Sequence, residues 1–209
     1  MITPPIATRL YLWACERLYA EFAWGYDAVT WGVSRGQWAA WRRAVLPWVQ
    51  GADLLEVGFG TGVLLGELAQ AGYHVIGIDR SSAMQRQAAR ADGAQRILGA
   101  AQFLPLPDNS FDCVVATFPA PYIGEAETLL EVARVLRPGG RLVIGGLWVI
   151  AKRPGVPVAA GPPLTLLQRL STLLAHAGLA VAVTEALVGT AYVGILLAQK
   201  PLGRLVDGG

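Results

Sequence analysis

Gly58, Gly60 and Gly62 alternate with Phe59 and Thr61 directly behind the apolar run Leu54-Leu55-Glu56-Val57, and a helical pattern starts at Val63. That order of residues commits the segment to a strand, a sharp turn and a helix. Glycines at this spacing let the backbone leave the strand abruptly and approach a ligand without side chains in the way. The helix behind them directs its free N–H groups at whatever occupies the turn. Every nucleotide-binding class uses such a turn, so the segments after it decide the fold.

Three follow in order. Val75-Ile76-Gly77-Ile78-Asp79 reads as a second buried strand ending in a carboxylate, about 20 residues downstream, where dinucleotide folds place a ribose-binding acid. Ala100 to Val115 reads as a proline-braced loop (Leu104-Pro105-Leu106-Pro107), an Asp108-Asn109-Ser110 turn and another strand. Glu131 to Leu142 reads as a helix with Arg134 and Arg137 near its end, a Pro138-Gly139-Gly140 stop and a further strand. Strands are expected near 53–57, 73–78, 95–98, 111–117, 140–147, 180–187 and 191–198, and helices near 61–71, 81–91, 124–136 and 163–177. The early strands are near-continuous apolar runs, as a sheet covered on both faces requires. The last two are separated only by Val188-Gly189-Thr190 and should pair antiparallel. Strand and helix alternate as in a doubly wound α/β sheet.

This ordered set resembles the class I S-adenosylmethionine-dependent methyltransferases, on the ubiquinone/menaquinone-biosynthesis-like small-molecule branch. The resemblance covers about residues 51–150 with specific motifs. It implies a Rossmann-like, doubly wound, seven-stranded sheet, mostly parallel with an antiparallel last strand, and S-adenosyl-L-methionine as cofactor. By the same resemblance Glu56 holds the methionine end, the loop Gly58, Phe59, Gly60, Thr61 and Gly62 cradles the cofactor, and Asp79 accepts the ribose hydroxyls. Arg80, Met84, Ala101 and Gln102 then surround the adenine, and Thr117 and Phe118 lie beside the methyl. Two departures stand out. Arg80 replaces an apolar residue that often packs on adenine in the family, and Ala100 stands where an Asp commonly accepts from the adenine amino group, leaving adenine to backbone groups around Ala101 and Gln102 or to the Gln102 amide as a substitute.

The segment before the glycine turn is aromatic: Trp13, Trp24, Trp31, Trp38, Trp41 and Trp48 all precede residue 50. Trp31, Trp38, Trp41 and Trp48 follow helical spacing, near Arg35, Arg42 and Arg43. These rings either seat N-terminal helices on the sheet or close an acceptor pocket. The organisation expected is therefore a helical cap over residues 1–50, the cofactor domain over 51–200 and a frayed tail over 201–209, with a mobile Pro/Gly-rich connector at 152–163. Tyr26 and Tyr122 are the pocket candidates. Thr117-Phe118-Pro119-Ala120-Pro121-Tyr122 lacks the leading Asn or Asp and the adjacent prolines of enzymes that methylate planar nitrogens.

Charged residues are 15% of the chain and hydrophobic residues 54%, with a net charge of +2. That balance argues against a nucleic-acid partner and for exposed apolar surface somewhere, leaving a homodimer and peripheral membrane contact open. No uncharged apolar stretch reaches the roughly 18 residues of a membrane span. Cys15 and Cys113 have no metal or redox spacing, so the expectation is a cytoplasmic, metal-free protein.

The function expected is methyl transfer from S-adenosylmethionine to a small apolar or amphipathic acceptor by in-line displacement. No general base stands out, so the accepting atom (O, N, C or S) stays open. One rival is a non-catalytic protein that keeps the fold and the cofactor. The other is an NAD-dependent oxidoreductase, which the glycine spacing disfavours because Val63 stands where the dinucleotide fingerprint needs its third Gly.

Overall fold

The computed structural model describes residues 34–88, 93–151 and 163–203. The expected helices before residue 34, the pocket candidate Tyr26, residues 152–162 of the connector and the tail from Arg204 lie outside the described residues. The elements in chain order are α1 (Trp38–Arg43), β1 (Asp53–Val57), α2 (Val63–Gln70), β2 (His74–Asp79), α3 (Ser82–Gln87), β3 (Gln95–Leu98), β4 (Phe111–Thr117), α4 (Ala126–Val135), β5 (Leu136–Ala151), α5 (Leu164–His176), β6 (Ala180–Val188) and β7 (Ala191–Gln199). Short 3₁₀ turns at Leu46–Trp48 and Pro121–Gly124 complete the set.

The strands form one seven-stranded sheet in the order β3-β2-β1-β4-β5-β7-β6. β1 to β5 pair in parallel, while β7 runs antiparallel between β5 and β6. The family resemblance thus gave the strand count and the single reversed strand. The central strands earn their place by burial: Leu54, Leu55, Val114, Val115 and Ala116 are inaccessible to solvent. Helices cover both faces. Leu129 and Val132 of α4 and Leu170 and Leu174 of α5 pack on one side, and Val45 with Leu64, Leu65 and Leu68 of α2 on the other.

β5 departs from expectation by starting at Leu136 and ending at Ala151, well beyond 140–147. Pro138-Gly139-Gly140 interrupts the ladder without ending the strand. Proline has no N–H to donate, and Gly139 adopts a left-handed φ of 78°, so β5 bulges between Leu136, opposite Phe111, and Arg141, opposite Cys113. The helix therefore stops at Val135, before the proline.

The Trp stripe divides rather than holding one face. α1 is only six residues long and gives way to the turn containing Pro47, so the helical period does not persist to Trp48. Trp41 and Trp48 pack on the core, while Trp38 lies against the Phe118 ring at 4.2 Å between centroids. Arg43 fixes α1 on α2 through paired bonds of 2.9 and 2.6 Å to Glu67.

The Leu-Pro loop and α4 are clasped together. Arg134 donates to the carbonyls of Leu104 (2.9 Å) and Leu106 (2.8 Å) and to the carboxylates of Glu131 and Asp108, and Glu131 accepts from the Leu104 N–H at 2.8 Å. One guanidinium thus satisfies two loop carbonyls and holds Glu131 charged, its carboxyl lowered first by the bond from Arg134. Arg134→Ala is expected to destabilise the fold by about 2–3 kcal/mol, since charged hydrogen bonds and orphaned acceptors are lost together. Urea unfolding checks this, and a loss below about 0.5 kcal/mol would show that the clasp contributes little.

Candidate functional site

The strand order reverses between β1 and β4, and in open α/β sheets ligands bind in the crevice outside the strand ends at such a point. A cavity of about 520 Å³ lies there, lined by Trp38 and Arg42 of α1, Val57 to Thr61, Ile78 to Ala83, Gly99, Ala101, Gln102, Thr117 to Tyr122 and Glu125.

The glycine loop is shaped for it. Gly58, Gly60 and Gly62 all have left-handed φ (73°, 56° and 73°), which side chains disfavour. Gly58 is a packing glycine: a Cβ there would stand 2.2 Å from the Tyr122 hydroxyl, which donates to the Val57 carbonyl at 3.1 Å. Gly60 differs, because a Cβ on it meets no protein atom within 4 Å. Gly62 is the N-cap of α2. Phe59 turns its ring into the core beside Leu65, so the loop meets the cavity mainly as backbone.

Asp79 closes the opposite wall. Its Oδ2 accepts from the Gly60 N–H at 2.9 Å and its Oδ1 from the Ser81 N–H at 2.8 Å. Each carboxylate oxygen has two acceptor sites, so one on each oxygen is left for a ligand. Burial raises its carboxyl above the usual range, and the two backbone bonds oppose that shift. Ser81, not Asp79, caps α3, accepting from the Met84 N–H at 3.3 Å.

Glu56 lies beneath the loop at 1% exposure, and its Oε2 has no hydrogen-bond partner among the described residues. Burial pushes its carboxyl up to about 8, against a lowering by the Arg42 charge. Thr61 Oγ1 is likewise buried without a partner.

At the far end, Gln102 donates through Nε2 to Glu125 Oε2 at 2.6 Å. A carboxylate only accepts, so the Gln102 amide must show Glu125 its NH₂ and keeps its carbonyl oxygen free. Near the mouth, Phe118 holds a left-handed φ of 47°, with its N–H bonded to the Gly145 carbonyl at 2.7 Å. Its ring sits over Gly146, where a Cβ would approach to 2.5 Å.

The structure therefore gathers Gly58, Phe59, Gly60, Thr61, Asp79, Arg80, Ala101, Gln102, Thr117, Phe118 and Tyr122 around one cavity. Met84, Glu56 and Gly62 do not line it: Met84 and Glu56 are buried, and the phase of α3 turns Ser82, Ala83 and Arg86 to the cavity in place of Met84. Arg42 and Glu125 line the cavity without having been singled out. A sequence signal for Arg42 existed in its place within the Trp/Arg cluster; none existed for Glu125.

Residues 55–144 match the family model described as Methyltransferase domain. That match runs from β1 into β5 and takes in the glycine loop and Asp79. A demethylmenaquinone methyltransferase from Renibacterium salmoninarum is 36% identical over 132 residues, which cover 61% of this chain and 56% of that protein. The chain thus spans just over half the length of this relative. Among solved structures, an S-adenosylmethionine-dependent methyltransferase from Thermotoga maritima aligns with a TM-score of 0.64 at 21% identity, over 88% of this chain and 98% of the other. The [4+2]-cyclase SpnF aligns with a TM-score of 0.57 at 21% identity, over 78% of this chain and 80% of the other. Both likenesses describe the fold.

Proposed function

We propose that this chain binds S-adenosylmethionine in the cavity and transfers its methyl group to a small apolar or amphipathic acceptor. The observation that carries the reading is the pairing of Asp79, fixed by two backbone N–H groups with acceptor sites to spare, with the unfilled space over Gly60. A ribose diol suits the first and a closely approaching ligand backbone the second. The Gln102 carbonyl, oriented by Glu125, takes the place of the absent acid at Ala100 and accepts from the adenine amino group. Arg80 offers its guanidinium plane to the purine face.

When bound, the cofactor supplies a methyl already activated on sulfur, so the protein has to align and desolvate rather than activate. Trp38, Phe118 and Tyr122 provide an aromatic wall beside Thr117, suited to a flat or hydrocarbon acceptor. The strained backbone of Phe118, a conformation costing about 1–3 kcal/mol, is held by its bond to Gly145 and the Trp38 contact. On this reading the aromatic N-terminal segment covers the acceptor. The similarity to demethylmenaquinone methyltransferases makes quinols the first acceptors to test. Exposed Phe103 and Leu130 line one surface groove, which supports contact with a second copy or a membrane face. No described helix is long and apolar enough to cross a membrane, and we place the protein in the cytoplasm.

Calorimetry with S-adenosylmethionine, S-adenosylhomocysteine, NAD and NADP tests the cofactor. The first two should bind and the nicotinamides should not. Asp79→Ala should weaken S-adenosylhomocysteine about ten- to hundredfold, the worth of a charge-assisted partner. Nicotinamide binding alone would end the proposal. Because a [4+2]-cyclase shares this fold, transfer of labelled methyl to quinol acceptors is the separate test of catalysis, and binding without transfer would favour the non-catalytic reading.

A further inference from the structure

The two edges of the sheet are finished differently. At one, β3 is four residues long and carries Gln95 and Arg96, with the Arg96 guanidinium turned onto the Ala88 carbonyl. A short strand bearing a charge is a common way of keeping an edge from pairing with other chains. At the other edge, β6 runs nine residues, Ala180-Val181-Ala182-Val183-Thr184-Glu185-Ala186-Leu187-Val188, and pairs with β7 from end to end without a bulge. Among the described residues it has a neighbouring strand on that side only. Along about 30 Å its alternate residues therefore point both backbone groups outward. The strand has no proline, lysine or arginine, and its one charged side chain, Glu185, accepts from Trp148 Nε1 at 2.9 Å. None of its residues is buried. Val183 and Leu187, which share a face, are 45% and 59% exposed.

We propose that the β6 edge is an interface for a second copy of this chain, the two strands pairing antiparallel about a two-fold axis at Thr184 and joining the two sheets into one. The occupant is another copy because the strand is complementary to itself. With Thr184 opposite Thr184, Ala180 meets Val188, Val181 meets Leu187 and Ala182 meets Ala186, so these pairs are apolar and the central one joins two hydroxyls. Glu185 then lies opposite Val183, covering it with its methylene stem, and not opposite Glu185 of the second copy. A register centred on Glu185 would set the two carboxylates against each other, and like charges so placed destabilise a strand pair. Pairing one patch with itself closes the assembly at a dimer and leaves no free β6 edge for a third chain. Strands β7 and β5 lie between this edge and the crevice at β4, so pairing leaves the cavity open. The contact is also separate from the groove at Phe103 and Leu130.

Sedimentation equilibrium of the full chain over a range of concentrations is the first measurement, and the mass should rise to twice that of one chain and no further. Val183→Glu and Val183→Lys then test the register, with circular dichroism to confirm that both variants fold. Val183→Glu sets a second carboxylate opposite Glu185 at both ends of the two-fold pair, and should raise the Kd of the dimer about tenfold or more. Val183→Lys sets an ammonium there instead, and should leave that Kd within about threefold of the unmutated chain's or lower it. Thr184→Cys gives a reading that depends on neither charge. Its two sulfurs would meet at the axis, so mild oxidation should yield a disulfide-linked dimer well above the level formed by the unmutated chain, whose own cysteines are Cys15 and Cys113. A monomer at every concentration, or a mass that grows without limit, would overturn the proposal. So would a dimer that both charges weaken equally, one that Val183→Glu leaves untouched, or a lack of cross-linking through Thr184→Cys, since the copies would then meet elsewhere.

Discussion

Gly60→Val is expected to raise the Kd for S-adenosylhomocysteine more than a hundredfold while leaving the protein folded. The two halves of that expectation have separate causes. A Cβ at Gly60 meets no protein atom within 4 Å, so the added side chain occupies space in the cavity and not in the core. The backbone strain is limited to placing a β-branched residue at φ 56°, about 1–2 kcal/mol, which lowers Tm by several degrees at this size. Gly194 gives the contrast. Its Cβ would lie 2.2 Å from the Trp148 ring, which is buried and donates to Glu185 at 2.9 Å, so the same substitution there should disrupt folding. Calorimetry on a folded Gly60→Val protein decides: affinity within tenfold of the unmutated chain would mean the ligand does not approach this loop.

How much of this could be read in the sequence varies with the range of the forces involved. The strand–turn–helix at Gly58 to Val63 was legible because its cause is local: glycine where φ is positive, an apolar run before and a helical period after. The strands β1, β2 and β4 were legible for the same reason, being largely apolar runs that only a sheet covered on both faces can bury, whereas β3 at the sheet edge is Gln95-Arg96-Ile97-Leu98 with no buried residue. β5 was cut short in expectation because Pro138 and Gly139 usually end an element; here the neighbouring strands on both sides supply enough pairing to carry a bulge. The Trp periodicity misled because Pro47 ends the helical period before Trp48, and within α1 itself Trp38 lines the cavity while Trp41 packs on the core.

The site divides the same way. Asp79 and the glycines are positioned by the turn they belong to, so their spacing announces them. Met84 depended on the phase of a six-residue helix, which Ser81 fixes by capping and which no periodicity in so short a segment reveals. Glu125, and Arg134 in its bonds to the Leu-Pro loop, act through partners brought close only by tertiary packing. Gln102 meets Glu125 across 23 residues and Arg134 meets Leu104 across 30, distances at which residue type alone carries no pairing information. The apolar composition was likewise explained only in part by the double-sided sheet, since Phe103, at 78% exposure, and Leu130, at 54%, remain outside it.

Glu56→Gln should stabilise the protein increasingly as pH rises and, at the same time, abolish the pH dependence of cofactor binding. Burial raises the Glu56 carboxyl from 4.5 to about 8 against the Arg42 charge of α1, with Asp79 at the end of β2 and Glu67 of α2 adding to the rise. In the folded state the proton is therefore held more tightly than in the unfolded chain. Stability from this group is full below pH 4.5 and is lost as pH rises through 8. At about 1.4 kcal/mol per unit the total is on the order of 5 kcal/mol, and about 3 kcal/mol of it is gone by pH 7. Gln cannot ionise, so the stability difference between variant and unmutated chain should grow in the variant's favour from pH 5 to pH 9 in urea titrations. Binding has the opposite sign. An ammonium group beside Glu56 favours its ionised form, so cofactor binding by the unmutated chain should release about one proton near pH 7 and tighten up to tenfold per unit until about pH 8. Calorimetry in buffers of different ionisation enthalpy reads the proton directly. Glu56→Gln should bind more weakly, without proton release and with a flat profile between pH 6 and 8. A flat profile in the unmutated chain would show that Glu56 does not meet a cationic ligand. A stability gap that stays constant with pH would show that its carboxyl is not held neutral, and that the buried, unpartnered acid is no reserve of strain kept for binding.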